Sequence, residues 1–146
     1  MYILDASVYV ADARPQEPHH AEAHALLAWV VTEGQDVYLP VIALAEVAAA
    51  ISRGTGQPAL AMRWIAAIQR IPGIQLNPID ETLARLAADL AAHYRIRGCD
   101  AVYVALARQR KATLVTLDRQ QRDRVPPDVT ARTPAEELAL IKGGQG

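Results

Sequence analysis

Four carboxylates in this chain stand where ionised groups are hard to keep. Asp5 ends the apolar run Tyr2-Ile3-Leu4, Glu46 sits inside Leu44-Ala45-Glu46-Val47-Ala48, Asp100 opens the apolar stretch Ala101 to Ala107, and Asp118 follows Thr113 to Thr116 almost at once. Burying an ionised carboxylate costs several kcal/mol unless a cation or hydrogen-bond donors compensate. Taken singly, Asp100 reads as an ordinary helix cap, while Glu46, in so apolar a helix, is harder to dismiss as a solvated face. Taken together they read as a cluster, and converging carboxylates repel each other unless they bind hard divalent cations or keep some members protonated. No Cys is among the four and no His is required, so an all-oxygen donor set favours Mg²⁺ or Mn²⁺ over zinc. An ion held this way supplies a water that ionises nearer neutral pH and offsets charge on an attacked phosphate, which is the chemistry of phosphodiester hydrolysis.

For the four to meet, strand ends and helix starts must come to one edge of a sheet. Strands are expected at Tyr2-Ile3-Leu4, Val37-Tyr38-Leu39, Ile74-Gln75-Leu76 and Thr113 to Thr116, with a fifth, edge strand at Val129-Thr130-Ala131. Between them, helical spacing or composition points to helices over Ser7 to Ala11, His19 to Glu33, Ile42 to Arg53 and from Pro58 towards Pro72-Gly73. A further helix capped by Asp80 runs until Gly98 breaks it, and another, apolar on all sides, follows Asp100. Thr133-Pro134-Ala135-Glu136 has the form of a capping box, so a last short helix is expected to about Ile141, within a domain spanning 1–142 and ahead of a flexible Gly-rich tail at 143–146. Strands alternating with helices through connections long enough for crossovers make a parallel α/β sheet of four to five strands with helices on both faces. In such a sheet the four carboxylates share one edge, where open α/β folds collect ligands.

Composition fits that architecture. At 146 residues and 51% hydrophobic, carried by Ala, Leu, Val and Ile with no Phe, the chain has enough apolar surface for one core of helices packed on a sheet. A single cysteine excludes an internal disulfide, no amino-terminal segment has the order of a signal peptide, and no apolar run approaches the roughly 20 residues of a membrane span, so a cytoplasmic protein is expected. The net charge of −1 hides an asymmetry: residues 1–94 hold 5 Lys/Arg against 10 Asp/Glu, whereas residues 95–132 hold 9 against 4. The basic half has the composition of a phosphate-binding footprint, with exposed helix-face arginines as the plainer reading, and Arg119, Arg122 and Arg124, just after Asp118, are the best placed candidates for contacts to nucleic-acid phosphates.

Four segments then carry a family resemblance. Ile3-Leu4-Asp5-Ala6-Ser7, Leu44-Ala45-Glu46-Val47, Gly98-Cys99-Asp100 with the apolar helix to Ala107, and Thr116-Leu117-Asp118 resemble, in order and spacing, the four acidic motifs of PIN-domain ribonucleases. Size and the Asp-Ala-hydrophobic helix are similar to the VapC-type toxins of bacterial and archaeal toxin-antitoxin pairs, over Met1 to about Thr133. The resemblance implies a PIN-like three-layer fold and makes Asp5, Glu46, Asp100 and Asp118 the catalytic, metal-binding quartet, with Ser7 and Thr116 as hydroxyls that orient carboxylates or waters. It also implies a homodimer, an RNA substrate cut by a metal-activated water, and a cognate antitoxin that covers the site. Pro40-Val41-Ile42 departs from the pattern where a Ser or Thr is common, which alters a helix cap and removes no ligand.

The remaining chemical side chains read more plainly. His20 and His24 lie one helical turn apart beside His19, but no carboxylate or Cys completes a metal site, so they are expected as solvated or packing residues. Cys99 lacks a His base and reads as a small buried hydrophobe. Trp29 and Trp64 read as core or interface residues, and the stripe containing Trp64 is a candidate dimer surface. Three rivals to the toxin reading stand beside it: a PIN nuclease of RNA processing without an antitoxin, a receiver-like Mg²⁺-binding module, and a silent PIN scaffold. The receiver needs a Lys after a late strand, whereas Lys111 precedes its strand.

Overall fold

The computed structural model describes residues 1–144. In chain order its elements are β1 (Tyr2–Leu4), α1 (Ala6–Ala13), α2 (His20–Thr32), β2 (Val37–Pro40), α3 (Ile42–Thr55), α4 (Pro58–Gln69), β3 (Ile74–Asn77), α5 (Glu81–Tyr94), α6 (Gly98–Arg110), β4 (Thr113–Val115), α7 (Arg119–Asp123), β5 (Ala131–Arg132) and α8 (Pro134–Gly144). The five strands form one sheet in the order β3-β2-β1-β4-β5, and every pairing is parallel.

That order fixes the layers. From β1 to β2 to β3 the chain steps in one direction across the sheet, then reverses and crosses to β4 on the far side of β1. Because such crossovers are right-handed, α1 to α4 cover one face while α5 and α6 cover the other. The packing agrees: α1 lies against α2 and α3, α3 against α4, and α5 against α6, which runs across β1, β2 and β4. The direction reverses between β1 and β4, so their carboxyl ends form the crevice where a doubly wound sheet binds ligands.

The local chemistry explains the element ends. Pro58 starts α4 at a position whose N–H has no intrahelical partner anyway. Asp80 accepts the Leu83 N–H at 2.8 Å and caps α5. Gly56 closes α3 in the left-handed region, φ +68°, a conformation costly for a residue with a Cβ. At α8 the capping box is reciprocal: Thr133 N–H donates to Glu136 Oε2 at 2.7 Å, and Glu136 N–H donates to Thr133 Oγ1 at 3.1 Å.

The core lies on both sides of the central strands. Ile3, Leu4, Leu114 and Val115 are closed to solvent together with Val37 and Leu39 of β2. Tyr103, Val104, Ala105 and Leu106 of α6 are wholly buried, in keeping with its apolar sequence on all sides. α8 is tied back to the first strand by Glu137, which is buried, accepts from the Tyr2 hydroxyl at 2.7 Å and pairs with Arg132 at 2.7 Å. Burial and the Glu137 carboxylate push the Tyr2 phenol up to about 12.

Several boundaries depart from the sequence expectation. α5 ends at Tyr94, with Arg95 at φ +55° as its left-handed cap, and Gly98 then opens α6 instead of merely breaking the preceding helix. The charged segment after Asp118 folds into the short helix α7, which was not expected because five residues carry no readable period. The edge strand is Ala131–Arg132, two residues long and shifted towards the carboxyl end of Val129-Thr130-Ala131. α8 runs through Gly143 and Gly144, beyond the expected end at Ile141, and Gln145 and Gly146 of the expected tail lie outside the described residues.

Candidate active site

The two strands flanking the reversal end in matching ways. Asp5 follows β1 as the N-cap of α1, accepting the Ser7 N–H on Oδ2 at 2.9 Å. Asp118 follows β4 as the N-cap of α7, accepting the Gln121 N–H on Oδ1 at 3.0 Å. An acidic cap satisfies an orphan donor and meets the positive end of the helix dipole, so each carboxylate is held by its own helix. The Asp5 N–H donates to Val115 O at 2.9 Å, locking the two strand ends in register.

α3 and α6 bring the other two. Glu46 lies in the second turn of α3 and accepts the Tyr103 hydroxyl on Oε1 at 2.8 Å. Asp100 is in the first turn of α6, but it is not the cap: Arg97 holds that position, and its Nε donates back to Asp100 Oδ2 at 2.7 Å. The buried Gln121 amide donates to Asp100 O at 3.2 Å, tying α7 to α6.

All four carboxylates line one cleft of about 600 Å³, together with Ser7, Glu17, His19, Arg53, Arg97 and Leu117. Asp5 is 5% exposed, and its proton affinity is raised by burial and further by Asp100 and Asp118, against the Ser7 hydrogen bonding that favours the charged form. Burial likewise raises Asp100, opposed by Arg97, and raises Glu46, opposed by the Tyr103 hydroxyl. The Tyr103 phenol is in turn pushed far up by burial and by the charges of Asp5 and Glu46, so it stays a donor.

One arginine crosses this cluster. Arg97 donates through Nη2 to Asp118 Oδ2 while its Nε holds Asp100, so a single guanidinium bridges two of the four acids. Among the described residues, no three His, Cys, Asp or Glu side chains are drawn together tightly enough to cage an ion as they stand. The donor set nevertheless suits a hard divalent cation: four carboxylates face one cleft, and Asp5 Oδ1, Glu46 Oε2 and Asp100 Oδ1 make no hydrogen bond among the described residues.

The hydroxyl pair falls beside the acids with specific partners. Ser7 Oγ accepts the Leu117 N–H at 3.1 Å, and Thr116 Oγ1 accepts the Asp118 N–H at 3.0 Å. Both therefore brace the backbone that carries Asp118. Arg119 and Arg122 lie on α7 and do not line the cleft; Arg119 pairs with Asp123 at 3.4 Å, and Arg122 lies 3.9 Å from both Asp123 and Glu136. The cleft arginines are Arg53 and Arg97, which the sequence does not single out, and Arg53 makes no ion pair among the described residues. A signal was present for Arg97 and Tyr103, each three residues from Asp100 and so on its side of the helix. Gln121 had no such signal.

His19 lines the cleft, whereas His20 and His24 do not. His20 Nδ1 meets Ala11 O at 2.9 Å, and His24 Nδ1 meets Asp12 Oδ1 at 2.8 Å. Cys99 is exposed, not buried, because the first turn of α6 points that side outward while Asp100 points in. Trp29 packs edge-on to Tyr2, with ring centroids 6.0 Å apart. Lys111 caps the carboxyl end of α6 ahead of β4.

Comparison with known proteins agrees with this geometry. The PIN domain family model matches residues 2–125. The sarcin-ricin loop cleaving toxin VapC20 of Mycobacterium tuberculosis superposes with a TM-score of 0.73 at 18% identity, over 89% of this chain and 99% of that one. FitAcB from Neisseria gonorrhoeae gives 0.71 at 25% identity, over 92% and 99%. A toxin-antitoxin complex from Klebsiella pneumoniae gives 0.66 at 21%, over 92% and 98%. No curated protein matches the sequence. With a family model covering most of the chain and a parallel sheet whose reversal point gathers four acids, this chain belongs to the PIN-domain family.

Proposed function

We propose that this protein is a Mg²⁺-dependent endoribonuclease and the toxin half of a toxin-antitoxin module. The observation that carries the reading is the convergence of Asp5, Glu46, Asp100 and Asp118 on one open cleft at the strand-order reversal. PIN nucleases generally depend on divalent metals, and an all-carboxylate site selects Mg²⁺ or Mn²⁺. Bound there, the ion supplies a water of lowered pKa and positive charge at the attacked phosphate. The chain supplies position. Ser7 and Gln121 N–H groups fix Asp5 and Asp118, Tyr103 fixes Glu46, and the hydroxyls of Ser7 and Thr116 hold the loop on which Asp118 rides. Arg119 and Arg122 on α7 extend a path for the RNA backbone outside the cleft.

The Klebsiella neighbour is a toxin-antitoxin complex, which supports a cognate antitoxin for this chain, and an antitoxin covering the cleft together with homodimerisation is part of the proposal. No helix among the described residues is long and apolar enough to cross a membrane, and cytoplasmic action on RNA is part of the proposal.

The test is incubation of the purified protein with a structured RNA and with a mixed cellular RNA pool, in Mg²⁺, Mn²⁺ or EDTA, beside Asp5→Asn. Metal-dependent cuts at a few sites, lost in the variant, are expected. No cutting in any condition, with Mg²⁺ binding still measurable by calorimetry, leaves a binding or scaffold module in its place.

A further inference from the structure

Each carboxylate of the cleft spends one oxygen on the scaffold, and Asp118 spends both. Its Oδ1 is held by the Gln121 N–H and its Oδ2 by Arg97. Asp5, Glu46 and Asp100 each keep one oxygen without a hydrogen bond among the described residues. A divalent ion held between Asp100 and Asp118 lies against the guanidinium that already bridges them, and two cations at that distance repel strongly. We propose that Arg97 and the divalent ion are alternative occupants of the Asp100–Asp118 pair, and that the displaced guanidinium becomes a ligand for a phosphate of the RNA strand. This rests on the metal-nuclease reading above.

The anchoring of Arg97 suits an exchange. It stands at the N-cap of α6, outside the helix, with its backbone extended at ψ 144°. Its side chain is 63% exposed, so the guanidinium leaves the pair by side-chain rotation alone. It stays on the cleft wall when it does so, because the cap residue is fixed by the Ala101 N–H, which donates to Arg97 O at 2.8 Å. There the planar five-donor head meets a phosphate in the geometry guanidinium favours. The remaining cleft arginine, Arg53, rises from α3 two helical turns beyond Glu46 and makes no ion pair among the described residues. The two cations thus flank the acids from different helices.

The experiment uses the whole protein and Mn²⁺ as probe. Mn²⁺ affinity is measured by electron paramagnetic resonance for the unaltered chain, Arg97→Gln and Asp5→Asn, with thermal melts in EDTA to confirm folding. Arg97→Gln is expected to bind Mn²⁺ about tenfold more tightly, the scale on which a charge-assisted contact is lost, and to bind RNA more weakly in Ca²⁺. Independently, the Arg97 Nε–H resonance is expected to shift when diamagnetic Mg²⁺ is added. Equal or weaker Mn²⁺ affinity in Arg97→Gln, or an Nε–H signal indifferent to Mg²⁺, overturns the exchange while leaving a metal nuclease intact. Absence of Mn²⁺ binding by the unaltered chain and Arg97→Gln alike overturns the exchange and the metal reading together.

Discussion

The hydroxyl of Tyr103 donates to Glu46 Oε1 at 2.8 Å, joining the buried middle of α6 on one face of the sheet to α3 on the other. Glu46 is the one carboxylate of the four that is neither a helix cap nor in a first turn, so this hydroxyl is its orienting contact.

Tyr103→Phe removes that oxygen and leaves the ring in place. Loss of a residue that orients a ligand costs about 10- to 100-fold in metal affinity or activity. RNA cleavage and Mn²⁺ affinity are expected to fall in that range with the melting temperature nearly unchanged. A variant that cuts as fast as the parent would remove Tyr103 from the site.

Asp5→Asn keeps an oxygen to cap α1 and discards a buried charge. Without metal it is expected to be more stable than the parent at pH 7, by about 1 kcal/mol or more, as a buried charge without a full partner is costly. The sign with pH follows from linkage: folding raises the proton affinities of Asp5, Glu46 and Asp100 above those of the unfolded chain. The penalty is full at neutral pH, shrinks as pH falls through the raised folded values, and vanishes below the ordinary carboxylate range of about 4. Melts in EDTA from pH 7 to pH 5 should show the gap between parent and variant closing, and a gap that widens would be fatal to it.

Thr133→Ala breaks the capping box of α8 and is expected to cost about 1 kcal/mol. The Glu136 carboxyl is held below its usual range chiefly by the Thr133 N–H, so its share of the cap is present at neutral pH and is lost as pH falls through its lowered value. Denaturant titration at pH 7 and pH 3 measures both, and an effect independent of pH would assign the cost to Thr133 alone.

Arg119→Ala and Arg53→Ala separate the two candidate RNA contacts. Each phosphate contact removed should weaken RNA binding across sequences and reduce the salt slope by about 1. The larger loss is expected for Arg53, which faces the cleft, because Arg119 divides its charge with Asp123. Filter binding in Ca²⁺ over a salt series distinguishes them.

What the sequence makes legible here is what periodicity and strand ends encode. The order of the strands and of every helix but α7, the four acids on one edge and the cap at Asp80 all follow from patterns that need only neighbours in the chain. What it conceals depends on partners far along it. The spacing of Arg97 from Asp100 hints at their local pair, but its second bond, to Asp118, exists only once α6 and β4 are side by side. The other basic residues go the same way: Arg108 pairs with Asp128, Arg132 with Glu137, and Arg110 lies over the Tyr38 ring at 4.2 Å. The expected phosphate footprint is therefore mostly spent within the fold. Cys99 was misjudged because an apolar neighbourhood in sequence says nothing of which side of a helix start faces out.

The central strand of the sheet is also the earliest of the five to be made. β1 pairs with β2 on one side and, through Tyr2 and Thr113, with β4 on the other. During synthesis Asp5 thus leaves the ribosome long before Asp118 exists, and the strand that completes the cleft is the fourth of the five. At about 5 to 20 residues per second the wait is on the order of ten seconds. Throughout it the nascent chain carries only part of the acidic cluster, which cannot assemble before β4 has been made.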